Sequence, residues 1–409
     1  MLIKMKKIGP ALLVTAAFIG PGTVTTASLA GGSYGFALVW ALLFSVIATF
    51  VLQEMASRLG LATGSGLAQA IREQFTGWVK WAVVGLIVCA IGIGNAAYQA
   101  GNLTGAALGL SSVAPGHLRN WVWVLGLVAT TLLYLGRYEL LERVLIGLVG
   151  LMSLVFFSTM LMASPDWSAM LKGALSFSIP NGSILVVIAL IGTTIVPYNL
   201  FLHASIVAAK RNESKQDPKG PTDLDQAIAE NRFDAAMSIG LGGIITLSIL
   251  ACSASVFFAT QTQVQTSNIA AQLEPLLGSY ANLFFALGLF AAGLTSAITA
   301  PLAAAYAVSG ALGWNAQLNS PRFRAIWLTV MLAGVLVASL GLKPLAAILF
   351  AQATNGLLLP IIALFLIWVM NNSQLMGQHR NGMIGNLIGG LIVLFVSALG
   401  LYKLISLFF

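Results

Sequence analysis

Charge is what this chain has least of. Only 8% of its 409 residues are charged, with 12 acidic and 20 basic side chains, against 58% hydrophobic residues. A soluble domain carries roughly a quarter charged residues, so this chain lacks the polar surface to coat a water-soluble globule. Soluble enzymes, disordered proteins and nucleic-acid modules are excluded on that ground. Cysteine is nearly absent as well. Cys89 and Cys252 both lie inside apolar runs and read as small buried hydrophobes rather than a disulfide framework. Acceptors of a metal or a proton are equally sparse: there are 3 histidines, and of these only His203 falls inside an apolar run. No H-E-x-x-H or C-x-x-C occurs, and the Gly-rich stretch Gly60–Gly66 lacks the P-loop lysine and reads as a turn. No cofactor and no nucleophile–base pair is expected, and the chain is not expected to be an enzyme.

What is present is long apolar runs. A membrane span needs about 20 apolar residues, and the runs fall at about 10–34, 36–60, 80–109, 118–136, 140–163, 181–209, 231–259, 280–313, 323–341, 344–370 and 382–408. They are too long and too continuously apolar for a transmembrane β-barrel, so they are expected to be helices. The basic start through Lys7 superficially resembles a signal peptide, but the run continues past Gly20-Pro21-Gly22, which favours a retained first span. The net charge of +8 does not mark a nucleic-acid binder, because the basic residues fall between the runs. With the N-terminus cytoplasmic, the inside connections carry Lys4, Lys6, Lys7, Arg58, Arg72, Lys80, Arg137, Arg143, Lys210, Arg211, Lys215, Lys219, Arg232, Arg322, Arg324 and Arg380. The outside keeps Arg119, Lys172, Lys343 and Lys403. That asymmetry follows the positive-inside rule and places the C-terminus outside. The expected location is a plasma (inner) membrane, with the whole chain, 1–409, forming one transmembrane domain. The polar connection 210–231 ends in Pro221-Thr222-Asp223, a helix start that leads into the seventh run.

Two runs are interrupted near their middle. The first reads Ala17-Phe18-Ile19-Gly20-Pro21-Gly22-Thr23, and the sixth reads Gly192-Thr193-Thr194-Ile195-Val196-Pro197-Tyr198-Asn199. Proline removes a donor and clashes with the preceding turn, and glycine permits unusual backbone angles. A break at bilayer depth is tolerable where it is buried in protein or lines a cavity. The breaks lie five spans apart, an odd number, so the two halves run in opposite directions. This is the pattern of an inverted-repeat secondary transporter with a midplane site. Repeat one is expected over about 10–163, repeat two over about 181–370, and an additional helix over about 382–408.

Neither break carries a carboxylate. Of the 12 acids, only Glu54 lies clearly within a span, four residues before Arg58, a spacing that stabilises a helix. It reads as a structural pair, with a gate or proton role as the alternative. The uncharged groups concentrate near the breaks: Asn95, Tyr98, Gln99 and Asn102 on one face of the third span, Gln352, Thr354 and Asn355 in the tenth, and Thr193, Thr194, Tyr198, Asn199 and His203 in the sixth. Each alone could be interhelical glue. Together they form a candidate pathway, with Gln99, Asn102, His203, Glu54 and Asn355 as pathway or coupling candidates.

At these residues the chain resembles the Nramp family of proton-coupled divalent metal transporters. The resemblance rests on Leu52-Gln53 with Arg58-Leu59-Gly60-Leu61-Ala62-Thr63-Gly64, on Asn199-Leu200-Phe201-Leu202-His203, on Arg232-Phe233-Asp234, and on Ala351-Gln352 followed by Leu359-Pro360. It implies an all-α LeuT-type fold of eleven helices with helices 1 and 6 broken. It also implies a substrate site at Ala17, Gly20, Thr23, Thr193, Val196, Tyr198 and Gln352, with Ala17, Thr23, Thr193 and Gln352 as the metal-facing groups. The sequence departs from the family pattern in one direction. The family's metal-binding Asp and Asn in the first helix are Gly20 and Thr23 here, its soft methionine in the sixth is Val196, and the His after the proline is Tyr198. The acids of its proton pathway fall at Gln99 and Asn102. The expected function is therefore transport of a small inorganic cation through a carboxylate-free site. The alternatives are a small non-metal solute and a transport-inactive sensor, and proton coupling is expected to be weak or absent.

Overall fold

The computed structural model describes residues 19–136, 139–216, 223–314 and 316–405. Among them every regular element is helical. The helices used below are α1 (Pro21–Tyr34), α2 (Val39–Thr63), α3 (Leu67–Glu73), α4 (Gly77–Ser111), α5 (Leu118–Leu135), α6 (Glu139–Met162), α7 (Trp167–Leu175), α8 (Ile184–Thr194), α9 (Pro197–Gln216), α10 (Leu224–Ser253), α11 (Ala281–Leu312), α12 (Pro321–Ala338), α13 (Pro344–Met370) and α14 (Met383–Ile405). Nine segments among the described residues are long and apolar enough to cross a membrane. A further bent pair, Ile146–Met162 with Trp167–Leu175, passes the same test as one unit. Of the expected first span, the part before residue 19, including Ala17, lies outside the described residues.

The helix ends follow local chemistry. Asp223 caps α10 by accepting from the backbone N–H of Asp225 at 2.9 Å, as the Pro-Thr-Asp sequence predicts. Gly64, Gly136 and Gly313 end α2, α5 and α11 in the left-handed conformation. Two features differ from the sequence expectation. The stretch 164–180, expected as a bare connection, holds α7, set off from α6 by a 112° bend and capped by Asp166 on the N–H of Ala169. Its outward residues Trp167, Leu171 and Leu175 are exposed, as suits a helix lying in the membrane interface. The seventh span also ends in a wide turn, with the Ala259 N–H bonded to the Ala254 carbonyl at 3.1 Å.

Large apolar side chains face outward along most helices, for example Ile47, Leu127, Leu154, Leu336 and Leu394. In a bilayer these face lipid, and Trp78 and Trp81 sit exposed near one end of α4, where aromatic rings anchor at the headgroup level. The interior is built from close crossings. α4 packs on α11, α12 and α13, α10 packs on α1 and α2, and α13 packs on α8. Small residues bring backbones together where hydrophobic force between helices is weak. A Cβ on Gly31 would stand 2.0 Å from the Leu250 carbonyl oxygen, and one on Gly60 2.4 Å from that of Ala204.

One end of the bundle collects the basic residues, and there Glu54 is tied on both sides. Its carboxylate accepts from Arg58 at 3.1 Å and from Arg232 at 2.8 Å. Arg58 also donates to the His379 carbonyl and the Asn381 side-chain oxygen, both at 2.8 Å. This network joins α2, α10 and the segment before α14. Glu54→Gln removes the anion from two guanidiniums. Because Arg232 is largely solvated, the expected cost is only about 1–2 kcal/mol, read as a lower thermal midpoint of the detergent-solubilised protein.

Candidate functional site

The two breaks meet in the interior. Gly20 is extended (φ −111°, ψ −176°) and α1 starts at Pro21. α8 stops at Thr194, Ile195 leaves the helical region (φ −95°, ψ 72°), and α9 restarts at Pro197. Proline has no N–H, so Pro197 cannot bond the carbonyl four residues earlier, that of Thr193. Pro21 stands in the same relation to Ala17, which lies outside the described residues. The breaks are bridged directly, since the hydroxyls of Thr23 and Thr193 lie 2.9 Å apart and both side chains are wholly buried.

Gln352 of α13 is wedged between the same two helices. Its backbone carbonyl lies against α8, where a Cβ added to Gly192 would stand 2.0 Å away. Its side-chain amide lies over the first turn of α1, where a Cβ added to Gly22 would stand 2.1 Å from Nε2. At Gly192 the neighbours are backbone and only glycine leaves room, whereas at Gly22 the neighbour is the end of the Gln352 side chain. The amide is fully buried, and neither its oxygen nor its nitrogen has a hydrogen-bond partner among the described residues. A buried amide left unpaired costs about 1–3 kcal/mol. It lies between the α8 side of the sixth-helix break and the first turn of α1.

Around this centre lie the other candidates. Tyr98 of α4 and Tyr198 of α9 meet edge to face with ring centroids 5.4 Å apart. Gly20 faces Ser296 of α11, whose hydroxyl would be 2.9 Å from an added Cβ, and beyond it the Tyr98 hydroxyl at 3.7 Å. Val196 is buried in the sixth-helix break. Asn355, one turn after Gln352, shares a small cavity with Asn95 and Tyr198. Asn102 is buried, and neither of its amide atoms has a hydrogen-bond partner among the described residues. His203 lies two turns into α9, its Nδ1 2.9 Å from the Gln53 side-chain oxygen of α2. In the neutral ring that contact commits the proton to Nδ1 and leaves Nε2 an acceptor, and Nε2 has no partner among the described residues. A cavity of about 310 Å³ lies just beyond at the basic end, lined by Ser205, Asn212, Tyr306 and Gln69 among others.

Two expected pathway residues sit elsewhere. Gln99 donates to the Ala297 carbonyl at 3.0 Å and reaches the Met331 sulfur at 3.1 Å, so it ties α4 to α11 and α12. Glu54 belongs to the ion-pair network described above. Among the described residues no cluster of three or more His, Cys, Asp or Glu side chains could hold a metal. What the centre offers is neutral oxygen: two hydroxyls, an amide and the freed carbonyl of Thr193. No sequence signal marks Ser296 at Gly20, nor Gln272, whose amide lies 2.9 and 3.1 Å from the Ser28 hydroxyl of α1. Ser296 carries no motif, and Gln272 falls in a connection. Tyr98 was visible on the polar face of its helix, but only the fold shows that it pairs with Tyr198.

An all-helical bundle in which the broken α8–α9 pair and the start of α1 converge on a buried polar centre has the form of a secondary transporter. The family model described as natural resistance-associated macrophage protein-like, Nramp, matches residues 11–406, and the chain belongs to this family. It is 26% identical over 402 residues to the divalent metal cation transporter MntH of Caldanaerobacter subterraneus, covering 97% of this chain and 91% of that protein. Its fold is similar to that of the Eremococcus coleocola manganese transporter, with a TM-score of 0.76 at 21% identity, covering 97% and 86% of the two chains. It is also similar to MhsT in complex with L-phenylalanine, with a TM-score of 0.59 at 17% identity, covering 97% and 98%.

Proposed function

We propose that this protein is a multi-pass transporter of the inner membrane that moves a divalent cation through an uncharged site at the two breaks. The observation that carries this reading is the placement of Gln352, with its carbonyl on Gly192 and its unpaired amide on Gly22. It is supported by family membership and by relatives named as divalent metal cation transporters. The groups that face the cation are the Thr23 and Thr193 hydroxyls, the Thr193 carbonyl and the Gln352 amide oxygen, with a carbonyl at Ala17 expected from the family pattern.

The chemistry of this set decides what kind of ion it suits. Hard oxygens without a thioether favour a hard cation that keeps part of its water. Without a carboxylate, full desolvation of a divalent ion lacks its main compensation. A largely hydrated ion such as Mg²⁺ therefore fits better than a bare transition metal, and Mn²⁺ is held weakly. The asymmetry of basic residues supports a cytoplasmic N-terminus, and with that orientation the basic end and its cavity form the inner exit, with His203 between that cavity and the breaks.

The test is uptake of Mg²⁺ and of Mn²⁺ into proteoliposomes against empty vesicles. Saturable uptake of either ion supports the reading, with Mg²⁺ expected to be the better substrate. If neither ion enters, the neutral lining and the Tyr98–Tyr198 pair favour the second reading, a small uncharged solute on the same fold.

A further inference from the structure

At the basic end, α2, α10 and the start of α14 enclose a groove of about 300 Å³ that the transport path does not use, lined by Phe50, Val51, Glu54, Arg58, Arg232 and Ile388. Its two ends differ in chemistry. Phe50, Val51 and Ile388 make an apolar wall. The same helix faces continue away from the basic end as Ile47, 59% exposed, and Leu391, 55% exposed, which in a bilayer are lipid-facing. At the other end Arg58 and Arg232 converge on the single carboxylate of Glu54. Two guanidiniums against one carboxylate leave a net positive charge at the rim of the membrane. Arg58 Nε is buried and has no partner among the described residues, while the Arg232 side chain is 55% exposed and keeps N–H groups beyond its bond to Glu54.

We propose that this groove is a binding site for an anionic phospholipid. The phosphate sits against Arg58 and Arg232, and an acyl chain runs along Phe50, Val51 and Ile388. Guanidinium forks match phosphate oxygens, and basic pockets between transmembrane helices at the membrane rim recognise lipid headgroups in this way. A phosphate supplies the second anion that the Arg–Glu–Arg cluster lacks. Two glycines keep the groove open. A Cβ on Gly382 meets nothing within 4 Å, and one on Gly385 meets only Asn381, at 3.7 Å or beyond.

The test is native mass spectrometry of the full chain in nonionic detergent, titrated with phosphatidylglycerol or phosphatidylcholine, with a thermal melt in parallel and inorganic phosphate as a separate arm. Phosphatidylglycerol is expected to be retained about fivefold better than phosphatidylcholine, the value of roughly one added arginine contact at a membrane surface. That preference should vanish in Arg232→Gln. It should also vanish in Gly385→Leu, which keeps every charge, fills the groove and favours the helix, so that its loss of lipid cannot be ascribed to unfolding if its melt in detergent alone is unchanged. Equal retention of the two lipids overturns the proposal, as does a preference that survives in both variants. Stabilisation by inorganic phosphate equal to that by phosphatidylglycerol assigns the cluster to a soluble anion and overturns the lipid assignment.

Discussion

Replacing Gly192 by alanine is expected to destabilise the protein strongly. The added Cβ would stand 2.0 Å from the carbonyl oxygen of Gln352 and 2.5 Å from the backbone nitrogen of Gly356. Neither neighbour is the end of a flexible side chain, so the clash is relieved only by parting α8 from α13. The crossing is tight in both directions, because a Cβ on Gly356 would lie 2.6 Å from the Ile188 carbonyl. Overpacking of this kind costs about 1–3 kcal/mol or more. Gly192→Ala should therefore lower the thermal midpoint markedly or prevent recovery of folded protein. Gly147→Ala is the control, since nothing lies within 4 Å of the added Cβ there and only backbone entropy changes. Equal stability of the two variants would show that the α8–α13 crossing is looser than described.

Gln352→Ala is expected to fold and to lose uptake. The side chain makes no hydrogen bond to a described residue, so its removal costs little polar pairing and even relieves a buried unpaired amide. What it removes is the buried amide that lies over the first turn of α1, the proposed cation ligand. A hydrogen bond or dipole contact to a charged group contributes about 1.5–3 kcal/mol, so cation uptake at subsaturating concentration should fall roughly 10- to 100-fold. Thr23→Val keeps the shape of the residue while deleting the hydroxyl bonded to Thr193 at 2.9 Å, and a smaller loss in the same direction is expected. The two are measured in one proteoliposome assay, with circular dichroism to confirm the fold. Unchanged uptake in both would remove the cation from this centre and turn attention to the polar groups around Asn355.

Much of this arrangement could be read before the fold was known. Pro21 and Pro197 mark both breaks because a missing N–H is a local fact that needs no neighbour to express it. The span limits follow bilayer thickness, which acts on composition alone. Asp223 likewise announces the start of α10 because a cap needs only the backbone just after it. The interior was less legible where helical spacing had to stand in for direction. Gln99 and Asn102 share a face of α4, yet that face is wide enough to send Gln99 to Ala297 and Met331 and leave Asn102 without a partner among the described residues. Glu54 was correctly paired with Arg58 by spacing, but Arg232 lies 178 residues away in sequence, and nothing local predicts that contact. α7 is nine residues long, too short for its period to stand out from the connection around it. Gln352 and Gly22 were each marked in the sequence, one by the family resemblance and one by its break, but their contact is visible only in the fold.

The neutral lining at the breaks has a consequence for energetics. A carrier whose site holds a carboxylate crosses the membrane with part of its cargo's charge already cancelled, and returns empty with that anion exposed to the field or covered by a proton. Thr23, Thr193 and Gln352 carry no charge in either passage. If the proposed site is the one used, each divalent cation would take both of its charges through the full electric field, and the unloaded site would return without moving charge. An interior-negative voltage contributes about 2.3 kcal/mol per elementary charge for each 100 mV, or about 4.6 kcal/mol for such an ion. A transporter built in this way can run as an electrophoretic uniporter, accumulating its substrate on voltage alone with no second ion to supply the drive.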